Sequence, residues 1–258
     1  MKNRGTFQRL SRSAFEPMRI TAQLQCGVIA DAALPIDAIL YYQAMREKYG
    51  YQEATFPGEN HVNAVTGVHL PLARCEEHGP QWYYAASFAQ WCGIAEGSDH
   101  WNCRFDQSLA HLIDFRGKRG KIDISSSAFK AYHMPVFYRH ALIVTWYAMG
   151  SVPHVRGLLE HCSHIGKKTA QGWGSVLRWE IGPWPSDWSV RGPRGELMRA
   201  IPATGGLLMG YRPSYWLPKN QARCAAPAVA STNLLSTLAG GTTTSATAES
   251  GSSTKRET

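Results

Sequence analysis

Residues 152–181 pass from a helix pattern through a glycine- and lysine-rich loop directly into a strand pattern, and that order leaves few folds open. "VPHVRGLLEHCSHIG" (Val152 to Gly166) has the apolar spacing of a short helix, with Gly166 placed to close it. "KKTAQGWG" follows, and then the apolar strand "SVLRWEI". Glycine at such a junction gives the backbone access to positive φ and lets another molecule approach closely. The adjacent lysines suggest that this molecule is anionic.

Upstream, a strand pattern is followed by a helix pattern. "MRITAQLQCGVI" (Met18 to Ile29) alternates Ile20, Ala22, Leu24 and Cys26 as a half-buried strand does. In "DAALPIDAILYYQAMREKYG", Pro35 suits a first helical turn and Gly50 a stop, with Ile36, Ile39, Leu40 and Ala44 at helical spacing. Between the two halves lies a long, loop-rich and aromatic middle, with short strand candidates in "NAVTGVHLPLA" and "QWYYAASFAQW" and a longer one in "HALIVTWYAMG". Strand, helix, long middle, strand, helix, loop, strand is an α+β order. It is the skeleton of a ferredoxin-like (RRM-like) βαββαβ unit with a large insertion, which RNA-recognition modules also use.

Charge points to an acidic partner. The 258 residues carry 27 Lys and Arg against 19 Asp and Glu, a net charge of +8. The basic residues cluster in the N-terminal arm, in the loop, and in "RGKRGKIDISSSAFK", which holds Arg116, Lys118, Arg119, Lys121 and Lys130. No apolar run approaches the roughly 18 residues needed to cross a bilayer, and the basic N-terminus lacks a signal-peptide core, so a cytoplasmic protein without membrane contact is expected. The six cysteines read as free thiols. "CEEH" and "HWNC" would offer Cys75, His78, His100 and Cys103 to zinc, but neither half has the tight CxxC spacing, and no metal or cofactor is expected. Beyond Pro218 the composition turns small and polar, which reads as a disordered tail over 219–258.

The loop fits no nucleotide-binding motif in its context. A Walker A loop needs a glycine five residues before Gly166, and there is none. A Rossmann loop would follow the first strand and open a helix, whereas Gly172 and Gly174 come after a helix and before a strand.

"IGKKTAQGWGSV" resembles the glycine-rich loop of the RAMP superfamily of CRISPR-associated proteins, which lies between the second helix and the last strand of a ferredoxin-like fold. "LPIDAILYYQAMRE", "FKAYHMPVFY" and "MGYRPSYWLP" resemble further motifs of one branch, the Cas-five-like subunit of type IV CRISPR effector complexes. The resemblance spans about Met18 to Pro218, which sets apart a basic N-terminal arm over 1–17.

It implies a non-catalytic subunit that binds the 5′ handle of the guide RNA (crRNA), caps the filament of backbone subunits, and meets the large subunit near the PAM-proximal end of target DNA. Carried over position by position, the loop's RNA-binding residues are Gly166, Lys167, Lys168, Gln171, Gly172 and Gly174, with Trp173 placed either to stack on a base or to pack beneath the loop. A thumb-like hairpin over about 116–135 would press on the handle, contributing Arg116, Lys118, Arg119, Lys121, Lys130, Tyr132 and His133. The alternative is a metal-independent endoribonuclease of the same superfamily that processes repeat RNA, with Lys130, Tyr132 and His133 as its acid–base set. Period two puts Lys130 and Tyr132 on one strand face and His133 on the other, which speaks against that set. On the last strand, Arg178 and Trp179 alternate, one outward and one inward.

Overall fold

The computed structural model describes residues 15–50, 68–76, 80–113, 122–125 and 129–227. These form a mixed α/β structure of many strands and few helices. In chain order come β1 (Glu16–Leu24), α1 (Ile36–Tyr49), the short β2 (Arg74–Cys75), β3 (Tyr83–Tyr84) and β4 (Gln90–Cys92), then β5 (Ala95–Cys103), β6 (Tyr132–His140), β7 (Ile143–Gly150), α2 (Val152–Glu160), β8 (Val176–Pro183), β9 (Ile201–Gly210) and β10 (Gln221–Ala225).

Four strands make the central sheet, in the order β4-β7-β1-β8 with antiparallel neighbours throughout. Alternation decides which face is covered. Met18, Ile20, Ala22 and Leu24 of β1 and Val144, Trp146 and Ala148 of β7 are buried. They pack with Ile36, Leu40 and Ala44 of α1 and Val155, Leu158 and Leu159 of α2. Three indoles pin loop carbonyls at the edge of this core: Trp146 Nε1 donates to Leu34 O (3.0 Å), Trp91 Nε1 to Ala32 O (2.9 Å) and Trp179 Nε1 to Cys162 O (2.7 Å). A buried indole N–H left without a partner would be costly, so these bonds also fix where the loops run. Trp179 is therefore the inward residue of its pair, and Arg178 is exposed beside Glu180.

A smaller second cluster joins Tyr83, Phe88, Ala200, Tyr211 and Cys224, beside the β9–β10 pair. Arg199, fully buried, ties it to the main core by donating to the carbonyls of Tyr84, Ala86, Ala200 and Tyr211. Its guanidinium lies 3.7 Å from the buried Asp37 carboxylate on α1, which also accepts from the Tyr215 hydroxyl at 2.7 Å. Burial lifts the Asp37 carboxyl above its ordinary range, while the Arg199 charge and the Tyr215 bond oppose that rise.

Several boundaries differ from the sequence reading. β1 begins at Glu16, so the N-terminal arm ends before Glu16 and not at 17. The strand expected to reach Ile29 stops at Leu24, and Val28 and Ile29 instead bridge singly to Arg139 and Lys167. Pro35 is the N-cap of α1, outside its first turn, while Gly50 does cap its end, at φ 91°. α2 ends at Glu160 with His161 as its C-cap, so Gly166 does not close it. The first residues of the expected tail are folded: Asn220 and Cys224 are buried, and Gln221–Ala225 pairs with β9, while the rest of 219–258 beyond Pro227 lies outside the described residues.

Candidate nucleic-acid interface

The loop from Gly166 to Gly174 is held against the segment that leaves β1. Lys167 N donates to Ile29 O (2.7 Å), Gly174 N to Gly27 O (2.9 Å) and Ile165 N to Gly174 O (2.9 Å). Cys26 adds its thiol, donating to Gly172 O and accepting from Ser175 N. The three glycines of the loop do different jobs. A Cβ at Gly174 would stand 1.9 Å from Ile165 O, and one at Gly166 would stand 2.7 Å from Ile29 O. At Gly172 nothing lies within 4 Å, although φ is +88°. Gly166 and Gly174 are therefore glycines because the chain crosses itself there, and Gly172 alone faces open space.

The amides of Gly172 and Gly174 are not turned outward for phosphates. Gly172 N donates to Thr169 O, Gly174 N to Gly27 O, and Gln171 N to Lys168 O. What the loop presents is side chains. Lys167 is exposed, with its ammonium 3.8 Å from the equally exposed Asp31 carboxylate, a pairing worth little in water. Lys168 takes a left-handed conformation (φ 56°), and its ammonium lies 3.0 Å from the Trp101 ring centroid. Trp173 is half-buried and packs against Tyr138, with ring centroids 4.9 Å apart. Of the two roles open to Trp173, packing beneath the loop is the observed one.

Trp101 and Tyr138 belong to a two-stranded ribbon, β5 with β6, paired from Ala95↔His140 to Cys103↔Tyr132. Side chains alternate across such a ribbon. Trp101, Tyr132 and Tyr138 share one face, and the glycine loop lies against it. His133 lies on the other face, stacked on His100 with centroids 4.1 Å apart and bonded to Asn102. Lys130 is exposed just before the strand. Residues 132 and 133 thus face opposite ways, as period two requires. The Tyr132 phenol is held above its ordinary value by desolvation and the neighbouring Cys103 thiol, so it is protonated at neutral pH.

Arg116, Lys118, Arg119 and Lys121 lie outside the described residues, as do residues 126–128 of the hairpin expected over 116–135. The described ribbon pairs Ala95–Cys103, which precedes that stretch, with Tyr132–His140, whose first four residues fall within it. Among the described residues no three His, Cys, Asp or Glu side chains come together to hold a metal. Cys75 packs against the second cluster, His100 and Cys103 lie on the ribbon, and His78 is outside the described residues.

Two aromatic residues of this surface escaped the sequence reading. Trp101 lies within "HWNC", and its place among polar neighbours is the signal that marks it. Trp216, 66% exposed, borders a cleft of 660 Å³ between α1 and the loop that also includes Lys167, Arg46 and Tyr42. No helix among the described residues is long and apolar enough to cross a membrane.

No curated protein matches the chain. Among solved structures, it is similar to a chain in the cryo-EM structure of the Type III-B Cmr-beta bound to cognate target RNA, at 10% identity and a TM-score of 0.33. That match covers 67% of this chain and 62% of the other, so less than two thirds of the neighbour's length is spanned. The family comparison is direct: residues 16–227 match the family described as CRISPR type IV associated protein Csf3, and the chain belongs to that family.

Proposed function

We propose that the chain is the crRNA-binding, non-catalytic subunit of a type IV CRISPR effector complex. In this reading it holds the 5′ handle of the guide RNA, caps the backbone-subunit filament beside the large subunit, and acts in RNA-guided DNA targeting in the cytoplasm. The fold is read as a RAMP, ferredoxin-like βαββαβ core: β1-α1-β4-β7-α2-β8 gives the element order, and the β5–β6 ribbon belongs to its insertion. Target DNA near the PAM-proximal end is the further nucleic-acid partner.

The observation that carries this reading is the contact of Lys168 on Trp101, which joins the glycine loop to the ribbon and makes one basic, aromatic surface from two distant parts of the sequence. Such a surface grips a single strand by charge and stacking, which is sequence-tolerant and requires no aligned acid and base. The acid–base set of the endoribonuclease alternative is split between ribbon faces, with Tyr132 beside the loop and His133 behind it.

The test is photocrosslinking of the chain, assembled with its partner subunits, to guide RNA carrying 4-thiouridine in the handle. Crosslinks to 166–174 and to β5–β6 are expected. Crosslinks confined to other segments would overturn the handle assignment. Site-specific, EDTA-resistant cutting of repeat RNA by the purified chain, abolished in His133→Ala, would overturn the non-catalytic assignment in favour of the nuclease.

A further inference from the structure

A second basic cleft lies across the Arg212–Leu217 turn from the loop. Trp216 borders the loop's cleft, whereas Arg212, Pro213, Ser214 and Leu217 line this one, and no residue lines both. Its volume is 220 Å³, and its charged lining residues are Arg74, Arg212 and Lys219, with no carboxylate among them.

The cations are built into place. Arg74 and Arg212 both lie over the Trp82 indole, with their guanidinium carbons 4.2 and 4.7 Å from the ring centroid. Arg212 Nε donates to Asn220 Oδ1 (2.8 Å), and Asn220 Nδ2 donates to the carbonyls of Pro213 and Ser214, so the buried Asn220 aims Arg212 and shapes the turn together. Arg74 Nη2 donates to His69 Nδ1 at 2.7 Å. Every one of these partners is neutral. Among the described residues, neither arginine nor Lys219 has a carboxylate within ion-pair distance. Ser214 Oγ, buried at the cleft, has no hydrogen bond of normal geometry and stands against the Tyr41 phenol.

An arginine cannot shed its proton to relieve such crowding. Two guanidinium groups on one indole and a lysine, all lining the cleft with only neutral anchors among the described residues, leave it a positive charge that an anion in the cleft would offset. The fork geometry of arginine matches phosphate oxygens. At 220 Å³ the cleft is below the roughly 300–1,000 Å³ of pockets that enclose a whole small-molecule ligand, but it accommodates a phosphodiester and its sugar.

We infer that this cleft is a second backbone-phosphate site for nucleic acid, separate from the glycine loop, that positions a strand without reading its sequence. Its occupant is a single strand of RNA or DNA, and its contribution depends on salt.

The experiment uses the full chain and fluorescent 20-nucleotide single strands of RNA and of DNA, with affinity measured by anisotropy over a range of KCl. Arg74→Gln with Lys219→Gln removes two cations and keeps the Arg212–Asn220 anchor. The slope of log affinity against log salt should flatten by about 1.4, at ~0.7 per single-strand contact. Lys219→Gln alone, on an exposed side chain, should flatten it by about 0.7. Flattening with only one of the two probes identifies the strand as RNA or DNA. Lys167→Gln with Lys168→Gln separates the two readings: if these leave the slope unchanged while the cleft substitutions flatten it, the loop assignment fails and the cleft stands. Unchanged slopes with both probes for the cleft substitutions, or an affinity loss equal at every salt concentration, would overturn the inference.

Discussion

Lys168 and Trp101, 67 positions apart in the chain, meet with the ammonium 3.0 Å from the indole centroid, and with Trp173 on Tyr138 this is where the glycine loop touches the ribbon. The contact orders a lysine whose backbone is already in the left-handed region. Trp101 is half-buried, and a cation over such an indole contributes about 1 kcal/mol.

That value can be read in a double-mutant cycle. Lys168→Ala and Trp101→Ala, alone and together, should show a coupling of about 1 kcal/mol in urea unfolding. Strictly additive losses would mean that this pair does not hold loop to ribbon in solution.

Gly172 and Gly174 should respond very differently to alanine. At Gly174 the new Cβ meets a backbone carbonyl at 1.9 Å, and no side chain can move aside to make room. A loss of about 4 kcal/mol or more, or failure to fold, is expected. At Gly172 the space is open, and only the positive φ opposes alanine, at about 1–2 kcal/mol. Gly172→Ala therefore tests the outer surface of the loop while the fold persists. Thermal melts of the two variants check the ranking, and equal destabilisation would contradict it.

How far the sequence reveals this arrangement depends on the range of the forces involved. The alternation in β1, the helical spacing of α1 and the stop at Gly50 are local patterns, and all three are present. The glycine loop was legible as a junction, because helix, glycines and strand follow one another. What its glycines do was not legible, since Gly174 answers to the carbonyl of Ile165 and Gly166 to that of Ile29, and composition does not encode such crossings. The ends of the fold were misjudged for a related reason. "QARCA" looks polar and short, yet it pairs with β9 and buries Cys224 against a cluster whose other buried members come from three separate segments. The meeting of Trp101 with Lys168, and of Arg74 and Arg212 on Trp82, arises only from tertiary packing.

Stability should decline at alkaline pH through Cys162. Its thiol is 2% exposed, and burial pushes it up to about 11 from an ordinary 9.0. Between those values the unfolded chain gives up the proton first, so the folded state binds more protons and stability falls as pH rises. The contribution is complete below pH ~8.5 and is lost by about 1.4 kcal/mol per pH unit, to a total of roughly 2–3 kcal/mol near pH 11. Urea unfolding at pH 8 and pH 10.5 measures it, and Cys162→Ala should shrink the difference between the two. The same burial keeps Cys162 slow toward iodoacetamide, while the exposed Cys92 and Cys103 react.

Arg199 should be the most sensitive single position outside the glycine loop. Its guanidinium binds four carbonyls from three separate stretches of chain, and its charge is answered by Asp37 on α1. Removing either partner leaves the other charge buried and unpaired, at a cost of about 3–5 kcal/mol. Asp37→Ala and Arg199→Ala should each approach that loss, and the pair together should lose less than the sum, because the double variant leaves no orphan charge. The site of the damage is also specific. Arg199 fastens β9, β10 and the Tyr211 segment to the core, so hydrogen exchange should accelerate first at the amides of β10 and at Tyr211, while β1 and β7 keep their protection. Uniform acceleration through the central sheet would show instead that the two clusters unfold as one unit, and that the arginine acts on the whole core.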